Sequence, residues 1–185
     1  MDSAVRVDWI TGALSGTPVR HSVTKLSRIR DLFHDRARVS RMDPETIIYS
    51  VEYWMPVAEN TPGGLFWGTT VLQPGRVGDE YFMTHGHFHA VRDRAEYYVT
   101  VRGEGALILM DESGACRYEP MMPGSVHYIP GRVAHRAANT GSAELAFVAC
   151  WPSDAGYDYE IIRTRGFSAR MREVEGRPVL IPEPA

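Results

Sequence analysis

Cysteine is scarce: Cys116 and Cys150 are the only two in 185 residues, and neither sits in a CxxC or Cys/His spacing. A cysteine-based structural zinc site is excluded, and both thiols are expected to be buried or idle. No apolar run approaches the ~18 residues that cross a bilayer, which excludes a membrane-spanning helix. The N-terminal stretch carries acidic residues and no apolar h-region, so it does not read as a secretory signal and the cytoplasm is the expected compartment. A basic excess is missing too, since 20 Lys and Arg against 23 Asp and Glu leave a net charge of -3. That balance argues against a broad nucleic-acid surface. The local cluster Arg28, Arg30, Arg36, Arg38 and Arg41 is interleaved with Asp31, Asp35 and Asp43. It reads as a solvated face of mixed charge.

The chain is long enough for one domain with a full-sized core. Its hydrophobic fraction of 44% is ordinary for a globular protein. Residues 1–45 read as an N-terminal arm with a short helix beginning after Ser22, because Leu26, Ile29, Arg30 and Phe33 fall at helical spacing. From Ile47 the texture changes to short β-branched and aromatic runs divided by Gly, Pro and Asp: IIYSVEYWM, FWGTTVLQ, DEYFMTHGHFHA, AEYYVTVRG, GALILMD, SVHYIP, RAANT and LAFVACWP. Repeated short strands with turn residues between them predict an antiparallel sandwich or barrel over 46–152. Residues 153–185 read as a loop followed by edge strands, with a last hairpin limited by Pro178.

The chemistry concentrates in Thr84-His-Gly-His-Phe-His-Ala, followed by Glu96 and Gly103. On a strand, residues i and i+2 share a face, so His87 and His89 are co-directed while Phe88 turns away. A turn through Arg92-Asp93-Arg94 returns the next strand, and Glu96 at its start brings a carboxylate beside His89. His85 has the parity of a ligand as well. A bulge or bend at Gly86 would redirect it, which makes it a substrate-side residue rather than a ligand. His127 reads as a hydrogen-bonded structural histidine, and His21 and His34 carry no signal.

A later segment runs Gly124-Ser-Val-His-Tyr-Ile-Pro130-Gly-Arg-Val-Ala-His135-Arg-Ala-Ala-Asn139. Together the two segments resemble the paired cupin motifs, HxH with a downstream Glu and Gly, then G(x)5P(x)4H(x)3N. Arg132 stands where many cupins have glycine. The resemblance implies an all-β cupin double-stranded β-helix, a jelly-roll barrel, with His87, His89, Glu96 and His135 around one divalent ion per subunit. Three imidazoles and a carboxylate suit iron, nickel, manganese or zinc.

The flanking sequence narrows this further. Thr69-Thr-Val-Leu-Gln-Pro-Gly-Arg-Val-Gly-Asp-Glu-Tyr-Phe, THGHFH, AEYYV, AHR before Asn139, and WPSDAGYDYE followed by Gly166-Phe are similar to the cupin-type, archaeal-type glucose-6-phosphate isomerases. That resemblance implies interconversion of glucose 6-phosphate and fructose 6-phosphate in a homodimer, with Glu96 as the proton-moving carboxylate or, as the alternative, a hydride shift between C1 and C2 that needs no protein base. It implies Tyr49, Thr70, Thr84, Gly86, Tyr98, Tyr157 and Tyr159 as the lining of a sugar-phosphate site. Thr84 and Gly86 have the wrong parity for this on a regular strand and need the bend at Gly86. Tyr157 stands where the family has a histidine, His85 where a lysine is common, and Trp151 in place of a tyrosine. A non-haem iron dioxygenase and a non-catalytic sugar-binding cupin are the competing expectations.

Overall fold

The structure, a computed structural model, describes residues 4–183. A small hairpin of β1 (Arg6–Val7) and β2 (Leu14–Ser15) precedes β3 (Arg20–Lys25). The short helix expected in the arm is present as α1, a single turn over Leu26–Ile29; Ser22 and the residues up to Lys25 before it belong to β3, with Ser22 opposite Val51. Val23 and Thr24 are β-branched and suit the sheet. The helical spacing survives in the burial of Leu26, Ile29 and Phe33, while Arg30 stays exposed. A 3-10 turn, Arg30–Leu32, leads to α2 (Arg36–Val39).

The barrel strands follow as β4 (Ile47–Trp54), β5 (Leu65–Leu72), β6 (Arg76–Val77), β7 (Glu80–Tyr81), β8 (Glu96–Arg102), β9 (Gly105–Asp111), β10 (Cys116–Met121), β11 (Val126–Ile129), β12 (Val133–Asn139) and β13 (Leu145–Pro152). The chain closes with α3 (Glu160–Arg165) and a hairpin of β14 (Ala169–Val174) and β15 (Arg177–Pro182). α3 falls in a stretch whose sequence reads as loop, because six residues that bury only Ile162 leave no periodic pattern. Pro178 sits in β15, opposite Glu173.

One sheet runs β11-β8-β13-β5-β4-β3, all antiparallel. The other wall is β10-β9-β12, extended beyond β12 by the segment after β7, where Met83 bridges Ala138 and His87 bridges His135. The same segment carries the hairpin β14-β15 through β7, so the two smaller sheets form one continuous wall. Leu72 and Phe147 from the first sheet and Leu107, Leu109 and Ala137 from the second belong to one buried core. This is a jelly-roll barrel.

Three motif positions have local reasons. At Gly103 a Cβ would lie 2.3 Å from the Glu144 carbonyl oxygen, so only glycine fits. The buried Asn139 amide donates to the carbonyls of Leu72 and Ala143, each at 2.9 Å, and accepts the Gly141 N–H at 3.0 Å, which closes the turn into β13. Arg132 adopts φ of 64°, the left-handed region that favours glycine, and its side chain reaches Asp93 at 2.8 Å and Glu112 at 3.4 Å.

Candidate metal centre and cavity

β8 alternates as its sequence requires: Glu96 is buried, Tyr97 is exposed on the outer face and Tyr98 is enclosed again. The same period repeats across the sheet. Arg20, Ser22 and Thr24 of β3, Tyr49, Val51 and Tyr53 of β4, Phe66, Gly68 and Thr70 of β5, and Phe147, Ala149 and Trp151 of β13 all line a cavity of about 780 Å³. The opposite side is Thr84, His85, Gly86, His87 and His135.

That opposite side is irregular, and Gly86 is the reason. Between the bridges Met83–Ala138 and His87–His135 the chain advances four residues against three on β12, so one extra residue is accommodated. Gly86 has φ of 75°, and a Cβ there would meet the Phe167 ring at 2.8 Å and Arg136 Cβ at 2.9 Å. The resulting bulge reverses parity. It brings Thr84 and Gly86 to the cavity along with His87. His85 also lines the cavity but is turned away from the ligand cluster, with Nδ1 3.0 Å from the Gly86 carbonyl oxygen and its ring against Tyr159, centroids 4.6 Å apart.

At the cavity floor, one ligand atom from each of His87, His89, Glu96 and His135 lies within 4.8 Å of the others. His135 Nε2 stands 2.5 Å and His89 Nε2 3.4 Å from Glu96 Oε1. None of the three is aligned for a hydrogen bond, and all three are occluded and unpaired. Orphaned buried donors and acceptors are costly, and their aim at a common point is what a cation between them would satisfy. The outer nitrogens agree: His89 Nδ1 donates to the Arg94 carbonyl at 2.8 Å and His135 Nδ1 approaches the Val133 carbonyl at 3.4 Å. Each Nε2 is left as a lone pair for an ion.

Burial alone would raise the Glu96 carboxyl, but His135 and His89 beside it hold it well below the ordinary carboxylate range. Burial, reinforced by the neighbouring His135, pushes His87 down. Burial also lowers His89, and the Glu96 carboxylate outweighs it and raises the ring. Burial raises Tyr98 well above the usual phenol value, pushes Tyr157 up to about 12 and raises Tyr159. All three are neutral hydroxyls at physiological pH.

Gly156, Tyr157 and Tyr159 also line the cavity, and both tyrosines are partly exposed. Phe88 and Asp158 exchange backbone hydrogen bonds at 3.3 and 2.8 Å, and Arg92 pairs with Asp158 while donating to the His89 carbonyl at 2.5 Å. This anchor sets Tyr157 and Tyr159 on either side of Asp158, rings stacked at 5.7 Å and both against His87. The Arg92–Asp158 pair spans 66 residues and gives no sequence signal. Arg28 also lines the cavity, apart from the solvated arginines it neighbours in sequence. Its α1 spacing beside the buried Ile29 is the one hint available.

His127 is buried, with Nε2 2.8 Å from Ser125 Oγ and Nδ1 2.8 Å from Glu119 Oε2. Ser125 Oγ also accepts the Met122 N–H at 3.1 Å. The group ties β10 to β11, as expected of a structural histidine. Cys116 and Cys150 are free and half-buried.

A jelly-roll barrel with three histidines and a carboxylate converging inside it defines a cupin whose cluster could hold a metal ion. Comparison with known proteins gives the rest. The sequence pattern of the family described as glucose-6-phosphate isomerase (GPI) matches residues 28–180. Glucose-6-phosphate isomerase of Pyrococcus horikoshii is 41% identical over 185 residues, covering 97% of this chain and 94% of that protein. The enzyme of the same name from Sinorhizobium medicae is 36% identical, covering 94% of this chain and 80% of that protein. The chain belongs to the glucose-6-phosphate isomerase family. Among solved structures, oxalate decarboxylase from Bacillus subtilis is similar at a TM-score of 0.45 and 20% identity over 60% of this chain and 26% of that one, too distant to bear on activity.

Proposed function

We propose that the chain interconverts glucose 6-phosphate and fructose 6-phosphate in this cavity, with one divalent ion held by His87, His89, Glu96 and His135. The observation that carries this reading is the convergence of those four groups, three of their atoms occluded and unpaired, at the floor of a hydroxyl-lined cavity. Iron, nickel, manganese and zinc all suit the donor set. When bound, such an ion supplies a fixed positive charge that polarises a carbonyl oxygen.

The two oxygens of Glu96 divide its work. Oε1 faces His135 and His89, whereas Oε2 makes no hydrogen bond among the described residues and is not among the occluded atoms. Glu96 lines the cavity, so Oε2 is the atom that carries a proton between C1 and C2 of the sugar. A carboxylate held so far below its ordinary range is ionised but weakly basic, which favours a second reading, a hydride shift between the same carbons. Isomerisation in deuterium oxide separates them: solvent label at C1 or C2 marks the proton route, and its absence marks the shift.

Tyr49, Thr70, Tyr98, Tyr157 and Tyr159 offer hydroxyls to the sugar and its phosphate. Thr84 Oγ1 accepts the Ala137 N–H at 3.1 Å and keeps its own proton to donate, and Gly86 contributes backbone. A coupled assay in both directions across a panel of divalent ions tests the activity. Interconversion with at least one ion is expected, and silence with every ion in metal-loaded protein contradicts the reading.

The arm, barrel core and tail, 1–45, 46–152 and 153–185, act as one domain in this reading, and two copies pair in the cytoplasm, where a phosphorylated sugar is retained by its charge. Pairing is supported by Tyr97, Val126 and Tyr128, exposed on β8 and the edge strand β11. Light scattering at twice 20.7 kDa is the expected result.

A further inference from the structure

Arg136 follows the ligand His135 on β12 and is 4% exposed. Its guanidinium donates to the His85 carbonyl at 2.6 Å and to Met83 Sδ at 3.1 Å, and lies 4.3 Å over the Phe167 ring. Nε is occluded with no acceptor. No carboxylate of the described residues pairs with it. Glu80, the acid whose field it feels most, is already committed to Arg170 at 2.8 Å. A guanidinium stays protonated in proteins, so Arg136 is a cation at neutral pH. A buried cation without a counter-charge is costly, and a thioether and one carbonyl do not offset that cost.

Only the bulge separates this charge from the cavity. A Cβ at Gly86 would lie 2.9 Å from Arg136 Nε, and both His85 and Gly86 line the cavity. Neither the His85 nor the Gly86 N–H donates to a protein acceptor among the described residues. Two uncommitted amides backed by a guanidinium form a positive patch on the cavity wall opposite the sheet that carries Glu96.

We propose that Arg136 is a positioning and specificity-determining residue whose missing counter-charge is the phosphate of the substrate. It fixes the His85–Gly86 bulge through the His85 carbonyl and gives the amides of that bulge a field that selects a dianion over a neutral hydroxyl. This rests on the sugar-phosphate reading of the same cavity.

Metal-loaded wild type, Arg136→Gln and Arg136→Lys are titrated with inorganic phosphate by calorimetry, with metal content measured in each and KM and kcat taken for the hexose 6-phosphate. Arg136→Gln is expected to weaken phosphate binding by about tenfold or more and to raise KM more than it lowers kcat. Arg136→Lys keeps the charge and is expected to stay within about threefold of wild type in phosphate affinity. Metal content is expected to remain at one per chain. Phosphate affinity in Arg136→Gln equal to wild type overturns the proposal. So does an Arg136→Lys protein that is folded and metal-loaded yet binds phosphate tenfold or more weakly, an outcome that decides the matter even if the glutamine variant does not fold. Wild type that binds phosphate tightly but never turns the sugar over sinks the isomerase reading and leaves this one standing.

Discussion

Glu96 is buried among groups that favour its charge, and that makes it the most sensitive single residue in the site. Glu96→Gln preserves shape and removes the negative charge from between His89 and His135. Isomerisation is expected to fall by roughly a hundredfold or more, with weaker metal retention, read from kcat and elemental analysis. Activity within a few-fold of wild type would place the proton elsewhere. Tyr157 is a milder case, half-exposed on the cavity wall with its hydroxyl held neutral by burial. Tyr157→Phe removes one neutral hydrogen bond, about 0.5–1.5 kcal/mol, so KM is expected to rise by up to about tenfold with the metal content untouched. An unchanged KM means that the tyrosine fills space and does not bind sugar.

The element that assembles the site is the bulged strand from Met83 to His89. Its alternation is legible in sequence because His87 and His89 are two apart and Phe88 lies buried between them. The second motif is legible for a similar reason, since its turn at Arg132 and its buried Asn139 are local requirements of the backbone. Gly86 marks where regular parity fails, but the register shift also depends on Arg136 and Phe167, which sequence places far away. The same limit explains β3. Helical spacing at Leu26, Ile29 and Phe33 is real, yet the preceding residues are claimed by β4, a long-range pairing that local periodicity does not contain. Gly86→Ala tests the bulge. An L-residue at φ of 75° with Cβ 2.8 Å from Phe167 is expected to lower stability by roughly 1–3 kcal/mol and to reduce isomerisation further than the loss of fold explains. Wild-type melting and activity together would show that the bend does not depend on glycine.

Across the whole molecule, the arm and the tail are tied to the barrel through one ionic cluster. Glu80 accepts the His34 N–H at 2.8 Å and pairs with Arg170, which also donates to the Leu32 carbonyl at 2.6 Å and contacts Glu183 at 2.8 Å. Arg172 holds the other oxygen of Glu183 at 2.9 Å. Glu80→Gln leaves a mostly buried Arg170 short of charge and is expected to cost roughly 3 kcal/mol, read as a lower melting temperature. A shift under about 2 °C would mean that the arm and tail are not coupled through this cluster. Burial works to raise the Glu183 carboxyl, but Arg170 and Arg172 hold it below its ordinary value. Its contribution is therefore full above the unfolded carboxylate value of about 4.3 and is lost as pH falls through the lower folded one. Glu183→Gln is expected to flatten that acid limb of the melting curve against pH. The central claim, that the four converging side chains serve isomerisation by holding one ion, is tested most directly by removing metal with chelator and adding one divalent ion back in steps while hexose 6-phosphate interconversion is followed. Activity should be absent in the stripped protein and rise in proportion to bound metal until one ion per chain; full activity in the stripped protein, or none with one ion bound, would contradict it.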